Sequence, residues 1–536
     1  MRCCRGSRVV FSPLVMKKIL VIRLGSLGDV ILASAPVLNL KLNYPNSHVT
    51  FFTKVQFAPV VKMFEGVDSV VTLSPSSNFT NFIRTLHQLD KNNFDIVVDL
   101  HGNFRSLIAR KLVTSSQTVI YPKRRYERYE IVKNKTRPNS YPHTIDLYNN
   151  CITQLGGATF VTRPQMFPDK IDDEKITEGK PAILVAPGAA HENKQWPSDR
   201  FADVAIKLNI ETGASIYWAT SSSDKVENSP AGKIPCNHFF EIKDFPLDKL
   251  ASIISQCELT IANDSGIAHL SSAVGTPTLS IFGSTHPALG FSPRGLFDKV
   301  IEVEEWCRPC SLHGKKPCFR EERFCFNRIT SDMVYDSASN LLNSKINNDR
   351  ALLVDRDGTL IVDKDYMSDP DQIDFIEGSI AALKKAQSHG YKIVIVSNQS
   401  GVARGKFTID FVEKINLRIL ELLAKEGVDI DAIYFCPHYK YGTVPEYTKI
   451  CQCRKPSPGM PEEAAKDLGL DLRKSWVIGD KLDDVKLGIA MGGKSILVRT
   501  GYGYEAEQHL DGNCFSGRVS VVDNLHEGVE KIISLE

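Results

Sequence analysis

The chain has 536 residues, of which 42% are hydrophobic and 24% charged, and its net charge is +2. That length predicts about three domains, and the near-neutral balance argues against a general nucleic-acid binder, whose domain is strongly basic. No run of about 18 apolar residues is present, so no transmembrane helix is expected.

Residues 1–16 read as a non-structural extension: their apolar run is short, no small-residue cleavage site stands out, and Met16 is a candidate start. Lys18–Ile22 is a buried-strand pattern. It runs into the turn Arg23-Leu24-Gly25-Ser26-Leu27-Gly28-Asp29 and a helix pattern from Asp29 to about Leu40. The turn lacks full G-x-G-x-x-G spacing, so a dinucleotide site is a weak reading. Taken alone, Asp29 reads as a helix cap. Further strands are expected at 48–53, 69–73, 95–100 and 118–121. Alternating β and α elements predict a parallel sheet covered on both faces.

Lys123-Arg124-Arg125-Tyr126-Glu127-Arg128-Tyr129, with Lys133, Lys135 and Arg137, is a basic and aromatic stretch. It is either a solvated helix face or a contact for the phosphates and acidic sugars of a lipid acceptor at a membrane surface. The βα pattern restarts at 181–186, with strands expected at 215–219, 259–262 and 278–282. Two doubly wound domains, 17–175 and 176–342, imply a cleft with ligands at the carboxyl ends of the strands. Three loops on that rim carry polar groups. Ala186-Pro187-Gly188-Ala189-Ala190 through Pro197 bears Lys194, and Phe282-Gly283-Ser284-Thr285-His286-Pro287 forms another. Asn263-Asp264-Ser265-Gly266-Ile267-Ala268-His269 is a strand end opening a helix, where free N–H groups suit a diphosphate. Cys307-x2-Cys310-x7-Cys318-x6-Cys325 closes this half, either as a structural metal site or as reduced thiols.

Residues 343–350 are polar and poorly periodic and read as a linker; a third βα series fills 351–536. It opens on Leu352-Leu353-Val354-Asp355-Arg356-Asp357-Gly358-Thr359, an apolar strand ending in two carboxylates one residue apart. Alternate residues of a strand share a face, so both can address one point beyond its end. One carboxylate to attack and one acid to protonate a leaving oxygen is what phosphoryl transfer requires. A calcium loop is excluded, because an EF-hand needs Gly at the position held by Leu360. Ile393–Gln399 is a strand ending in the Ser397 hydroxyl, and Lys455 follows in Cys453-Arg454-Lys455-Pro456. Trp476-Val477-Ile478-Gly479-Asp480 is a strand ending in another carboxylate, with Asp483 and Asp484 beyond. Cys436-Pro437-His438 and Cys451-Gln452-Cys453, twelve residues apart, offer three thiolates and an imidazole, a closed tetrahedral set for structural Zn²⁺. Such an ion would pin the loop that carries Arg454 and Lys455.

These pieces, in this order, resemble the haloacid dehalogenase superfamily, and more closely its D-glycero-D-manno-heptose-1,7-bisphosphate 7-phosphatases. The resemblance rests on Asp355–Thr359, Ser397-Asn398-Gln399-Ser400-Gly401-Val402-Ala403-Arg404-Gly405, Cys453–Pro456 and Gly479-Asp480-Lys481. It implies Asp355 as nucleophile and Asp357 as acid and then base. It also implies Mg²⁺ between Asp355, the Asp357 main-chain carbonyl and Asp480. Ser397 and Lys455 would hold the transferring oxygens. Asn398, Gln399 and Ser400, Arg454, Lys481 and the segment Asp363–Tyr366 would meet the rest of the substrate, heptose 1,7-bisphosphate. Histidinol-phosphate phosphatases share the nucleophile and a similar zinc loop.

The earlier segments resemble the lipopolysaccharide heptosyltransferases, GT-B enzymes of the glycosyltransferase family 9 type, from about Lys17 to about Leu342. That resemblance implies inverting transfer of heptose from ADP-heptose to a lipid A-core acceptor at the inner membrane surface. Asp29 would be the general base, Lys194 would stabilise the departing diphosphate, and Asp264, Ser265, Gly266 and His269 would bind the donor. Ala189 and Ala190 stand where some members carry hydroxyl residues, which leaves the acceptor and subtype unfixed.

The fold class expected is therefore α/β: two Rossmann-like domains followed by a haloacid-dehalogenase-type domain with a zinc loop. The function expected is a bifunctional heptose enzyme, cytoplasmic or peripheral at the inner membrane. The alternatives are a histidinol-phosphate-type phosphatase fused to a sugar transferase, or a first half that only binds sugar and tethers the second.

Overall fold

The computed structural model describes residues 16–74, 78–138, 141–169, 181–224, 226–344, 349–364, 369–510, 515 and 517–535. Residues 1–15, the 175/176 boundary, the centre of the expected linker and Tyr366 lie outside them.

The chain forms three parallel sheets. The first contains β1 (Lys18–Ile22), β2 (His48–Lys54), β3 (Ser69–Leu73), β4 (Phe94–Asp99) and β5 (Ser115–Ile120), in the order β3-β2-β1-β4-β5. The second contains β6 (Ala182–Ala186), β7 (Ser215–Thr220), β8 (Phe239–Lys243), β9 (Leu259–Asn263), β10 (Thr278–Ile281) and β11 (Lys299–Ile301), in the order β11-β10-β9-β6-β7-β8. The third contains β12 (Ala351–Val354), β13 (Lys392–Asn398), β14 (Ala432–Cys436), β15 (Trp476–Gly479), β16 (Lys494–Val498) and β17 (Val519–Val522), in the order β14-β13-β12-β15-β16-β17. Central strands such as β6, β9, β12 and β15 are buried along their whole length. Helices cover both faces of such sheets, which is why these strands read as continuous apolar runs.

Each sheet reverses its winding once: between β1 and β4, between β6 and β9, and between β12 and β15. Crossovers leave in opposite directions there and open a crevice at the carboxyl edge. Asp29 follows β1, the Lys194 loop and Asp264 follow β6 and β9, and Asp355 and Asp480 follow β12 and β15.

Two local features depart from the sequence expectation. The single helix expected from Asp29 is two, Leu27–Leu32 and Ser34–Asn43. Pro36 has no N–H for the Leu32 carbonyl, and the Ser34 hydroxyl instead bonds Ile31 O at 2.8 Å. Strands β8 and β11 carry no strand signal in sequence. Both are edge strands with mixed burial, so only part of each is held to an apolar pattern.

The third domain packs on both of the others. Phe167 lies between the guanidinium groups of Arg473 and Arg518, 4.8 and 4.6 Å from its ring centre. Arg473 also donates to Met166 O, and Arg518 pairs with Glu65. Gln165 Nε2 donates to Ala490 O at 2.6 Å, and Arg163 pairs with Glu462 at 2.8 Å. On the second domain, a Cβ at Gly275 would meet Arg473 Cδ at 2.6 Å, so glycine is what lets the arginine through. Ile489 and Ala490 join the apolar cluster that contains Val21 of the first sheet and Leu184 of the second.

Phe167→Ala removes the ring that both cations face, at about 0.5–2 kcal/mol per contact. Calorimetry should then resolve separate unfolding transitions for the third domain and the first two. A single transition at the wild-type temperature would show that this contact couples nothing.

Candidate active sites

Asp355 extends β12, and its N–H bonds Ile478 O of β15 at 2.9 Å. Its carboxylate is 4% exposed, and one ligand oxygen from each of Asp355, Asp480 and Asp484 lies within 4.8 Å of the others. Lys455 Nζ reaches into this group, 2.6 Å from Asp355 Oδ1, 2.6 Å from Asp484 Oδ1 and 3.0 Å from Val396 O. Burial disfavours its ammonium, but the two carboxylates outweigh burial and hold its pKa above the ordinary lysine value. One lysine does not balance three acids. Burial and the neighbouring Asp355 push Asp480 up to about 7, and burial pushes Asp484 up to about 6. Among the described residues, Asp480 Oδ1 is buried without a hydrogen bond; Lys481 Nζ lies 3.6 Å from it. Crowded oxygens with an unpartnered member suit a divalent cation.

The backbone is shaped to bring Asp480 in. Gly358 has φ +90°, and a Cβ there would meet Asp480 Oδ2 at 2.3 Å; at Gly501 the distance would be 2.2 Å. Asp357 is not among the three converging acids. It receives Arg356 Nε at 3.1 Å, Gln399 Nε2 at 2.8 Å and Ser397 Oγ at 3.4 Å. Burial would raise its pKa, but the Arg356 charge prevails and holds it below the usual carboxylate value. Asn398, expected at the substrate, borders one cavity with Ser397 and Gln399 and also engages Lys455. Its side chain accepts from Lys455 N at 3.0 Å and donates to Lys455 O at 3.2 Å, which fixes the lysine's backbone.

Cys436, His438, Cys451 and Cys453 converge beside this site. Their Sγ–Sγ separations are 3.2–3.5 Å, and His438 Nδ1 is 3.3 Å from Cys453 Sγ. A tetrahedron with metal–sulfur bonds of about 2.3 Å has edges of about 3.8 Å, so a small outward shift admits an ion. Arg454 and Lys455 follow the last ligand directly, and Arg454 Nη1 bonds His438 O at 3.1 Å. The four thiols at Cys307, Cys310, Cys318 and Cys325 make no such convergent set among the described residues.

A cavity of about 380 Å³ opens onto Asp355, Asp357, Lys455 and Asp484. Asp363, Ser397, Gln399, Ser400 and Lys481 line it beside the acids. Asp483, Arg404 and Tyr502 line it too, without having been singled out for a role from sequence.

In the first crevice, Asp29 Oδ2 lies 2.5 Å from Arg23 Nη2 and accepts from Ser26 Oγ at 3.0 Å, and Tyr148 OH is 3.4 Å from Oδ1. Burial would raise the Asp29 pKa, but Arg23 lowers it, so the carboxylate is ionised. Across the cleft, Lys194 Nζ pairs with Asp264 Oδ2 at 2.7 Å, and Thr285 Oγ1 donates to the same oxygen at 2.6 Å. Ser265 precedes the helix Gly266–Val274, and its buried hydroxyl has no hydrogen-bond partner among the described residues. The two domains meet tightly here. A Cβ at Gly28 would lie 2.5 Å from His269 Cδ2, and one at Gly266 would lie 2.7 Å from Leu27 Cδ2. His313, carried on the cysteine-rich segment, adds its field at Asp29.

Comparison with known proteins gives both halves a family. A model described as "Glycosyltransferase family 9 (heptosyltransferase)" matches residues 82–317. Models for HAD-hydrolase-like proteins and for polynucleotide kinase 3 phosphatase match 452–527 and 351–486. The D-glycero-beta-D-manno-heptose-1,7-bisphosphate 7-phosphatase of Salmonella typhi is 43% identical over 158 residues, 29% of this chain and 84% of that protein. The Pasteurella multocida protein of the same name is 44% identical over 153 residues, 28% of this chain and 83% of its own length. The chain belongs to this phosphatase family. Its first half carries a glycosyltransferase family 9 domain. The solved glycosyl transferase family 9 protein from Veillonella parvula shares its fold, with a TM-score of 0.50 and 22% identity over 61% of this chain and 97% of that one.

Within the phosphatase domain, the sequence reading missed Asp484 as the third acid and Arg356 as the partner of Asp357. In the transferase domain it missed Arg23, Tyr148 and Thr285. Arg23 lay inside the glycine turn already singled out; the partnership of Tyr148 with Asp29 joins residues 119 positions apart and leaves no local pattern.

Gly358→Ala would force a side chain into an unfavourable φ and against Asp480, at about 1–3 kcal/mol. A lowered melting temperature with loss of phosphate release is expected. Unaltered melting and turnover would contradict this geometry.

Proposed function

We propose that this chain hydrolyses the 7-phosphate of D-glycero-D-manno-heptose 1,7-bisphosphate in its C-terminal domain and transfers heptose from ADP-heptose to the lipopolysaccharide inner core in its N-terminal half. The observation that carries the first activity is the buried acid cluster at the ends of β12 and β15, with Lys455 inside it, in a domain 43% identical to a phosphatase of that name. The domains are taken as 17–175, 176–342 and 351–536.

Asp355 attacks phosphorus in line with the bond to the sugar oxygen. That bond breaks, Asp357 gives its proton to the departing oxygen, and an aspartyl-phosphate remains. Asp357 then takes a proton from water, whose oxygen attacks phosphorus and releases inorganic phosphate and Asp355. Asp357 is ionised beside Arg356, so it must gain its proton as the substrate's negative charge arrives, a change that raises a carboxyl pKa. Lys455 and Ser397 hold the transferring oxygens, while Asp363, Tyr366, Ser400, Arg454 and Lys481 meet the sugar and the other phosphate. Asp355, Asp480 and the Asp357 carbonyl would hold Mg²⁺, which would supply the charge neutralisation that lets a carboxylate approach a phosphate ester. Zn²⁺ on Cys436, His438, Cys451 and Cys453 fixes the loop from which Arg454 and Lys455 project.

In the transferase half, the acceptor hydroxyl attacks the anomeric carbon and loses its proton to Asp29 as the bond to ADP breaks. Arg23 keeps Asp29 ionised and able to accept. Lys194, with the helix start at Gly266, takes the charge of the leaving diphosphate. The helix Arg125–Asn134 projects Tyr126 and Tyr129, 74% and 60% exposed, beside Lys133 and Arg125. Aromatic rings among cations suit the surface of an anionic bilayer, where a lipid acceptor presents its core sugars. No helix among the described residues is long and apolar enough to cross a membrane.

Two substitutions separate the activities. Asp355→Asn should lower phosphate release from the bisphosphate at least about 10³-fold, and Asp29→Asn should lower heptose transfer about 10²–10⁴-fold. Loss of both activities from either substitution would count against two independent sites. Cys453→Ser should remove bound zinc, read by elemental analysis, and lower phosphate release; full turnover by the zinc-free protein would refute the structural role.

A further inference from the structure

The phosphatase cavity holds several cations, and most are already matched to acids. Lys455 is shared by Asp355 and Asp484, and Arg356 pairs with Asp357 at 3.0 Å. Lys481 stands 3.7 Å from Asp363 and 3.6 Å from Asp480. Arg404 and Arg454 differ. Both line the cavity, and among the described residues neither has a carboxylate within ion-pair distance.

Both guanidinium groups face one aromatic ring. Arg404 lies 4.4 Å and Arg454 5.2 Å from the centre of Tyr439. Tyr439 follows the zinc-loop residue His438, and Arg454 is tied to His438 O. Arg404 comes from the short helical turn Ser400–Ala403 after β13, whose last carbonyl, Ala403 O, accepts from Thr443 N at 2.7 Å and Val444 N at 2.9 Å. The zinc loop and the β13 turn are thus bonded together, and each contributes one arginine to the same ring. Asp483 lines the same cavity and feels the Arg454 charge. With no carboxylate among the described residues within ion-pair distance of either guanidinium, the two like charges are favourable once an anion joins them. A guanidinium matches phosphate through paired N–H bonds.

The geometry points to Arg404 as a specificity-determining residue: together with Arg454, and spaced by Tyr439, it binds the phosphoryl group that is not transferred. This rests on the bisphosphatase reading above and deepens it. The acid cluster and Lys455 take the reacting phosphate at the floor of the cavity, and the arginine pair takes the second one at its rim. A substrate with two phosphates then engages both ends, and one with a single phosphate engages only the floor.

The test compares kcat/KM of the full chain, with zinc and magnesium, for heptose 1,7-bisphosphate and for heptose 7-phosphate. The wild type should prefer the bisphosphate. Arg404→Ala should shrink that preference about tenfold or more, within the range for a lost charged hydrogen bond, and chiefly through KM for the bisphosphate. Arg404→Lys keeps the charge but not the fork, and should recover part of the preference. Zinc content equal to wild type shows that the loop is intact. A wild type that prefers the bisphosphate and an Arg404→Ala variant that keeps the whole preference overturn the assignment of Arg404 alone. A wild type that hydrolyses both esters equally overturns the bisphosphatase reading, and this assignment with it.

Discussion

One ammonium group held between two buried carboxylates organises the phosphatase domain. Lys455 reaches Asp355 and Asp484 at 2.6 Å each, and Asp480 completes a set of three acids at the end of two central strands. Removing such charges from water is costly unless they are paired, and breaking a buried pair costs more than the pair contributes. Three acids against one ammonium leave negative charge over; burial above all, with Asp355 close by, raises the pKa values of Asp480 and Asp484. The same imbalance makes the crevice receptive to a divalent cation and, through that cation, to a phosphate.

The surrounding structure serves to hold that lysine still. Asn398 clamps its backbone from β13, and the cysteine–histidine cluster ends one residue before Arg454. Gly358 and Gly501 let the main chain pass within about one atom's width of Asp480. The loop that carries the cysteine–histidine cluster is therefore part of the active-site wall, although none of the four clustered residues lines the cavity.

The transferase half uses the same topological device with different charges. Asp29 and Asp264 each carry a cation of their own, Arg23 and Lys194, so neither is left to attract a metal. The halves meet away from these crevices, where Phe167 stands between Arg473 and Arg518. The two activities proposed are not consecutive. Phosphatase product, a sugar 1-phosphate, must gain an adenylyl group before it can be a donor.

The sequence alone determined the three βα series and placed Asp29 and Lys194 in loops after strands and Asp264, Asp355 and Asp480 at strand ends. These are local facts: strand periodicity and the residue that follows it are written in a few consecutive positions. It also determined the cysteine–histidine set, because metal ligands come at short, fixed spacings. The tertiary structure decided who faces whom. It paired Asp484 with Lys455, put Arg356 on Asp357, tied Asn398 to the lysine backbone, and brought Arg23 onto Asp29. Those outcomes depend on loops from different strands meeting at one crevice, and no short window of sequence encodes a distance between segments a hundred residues apart.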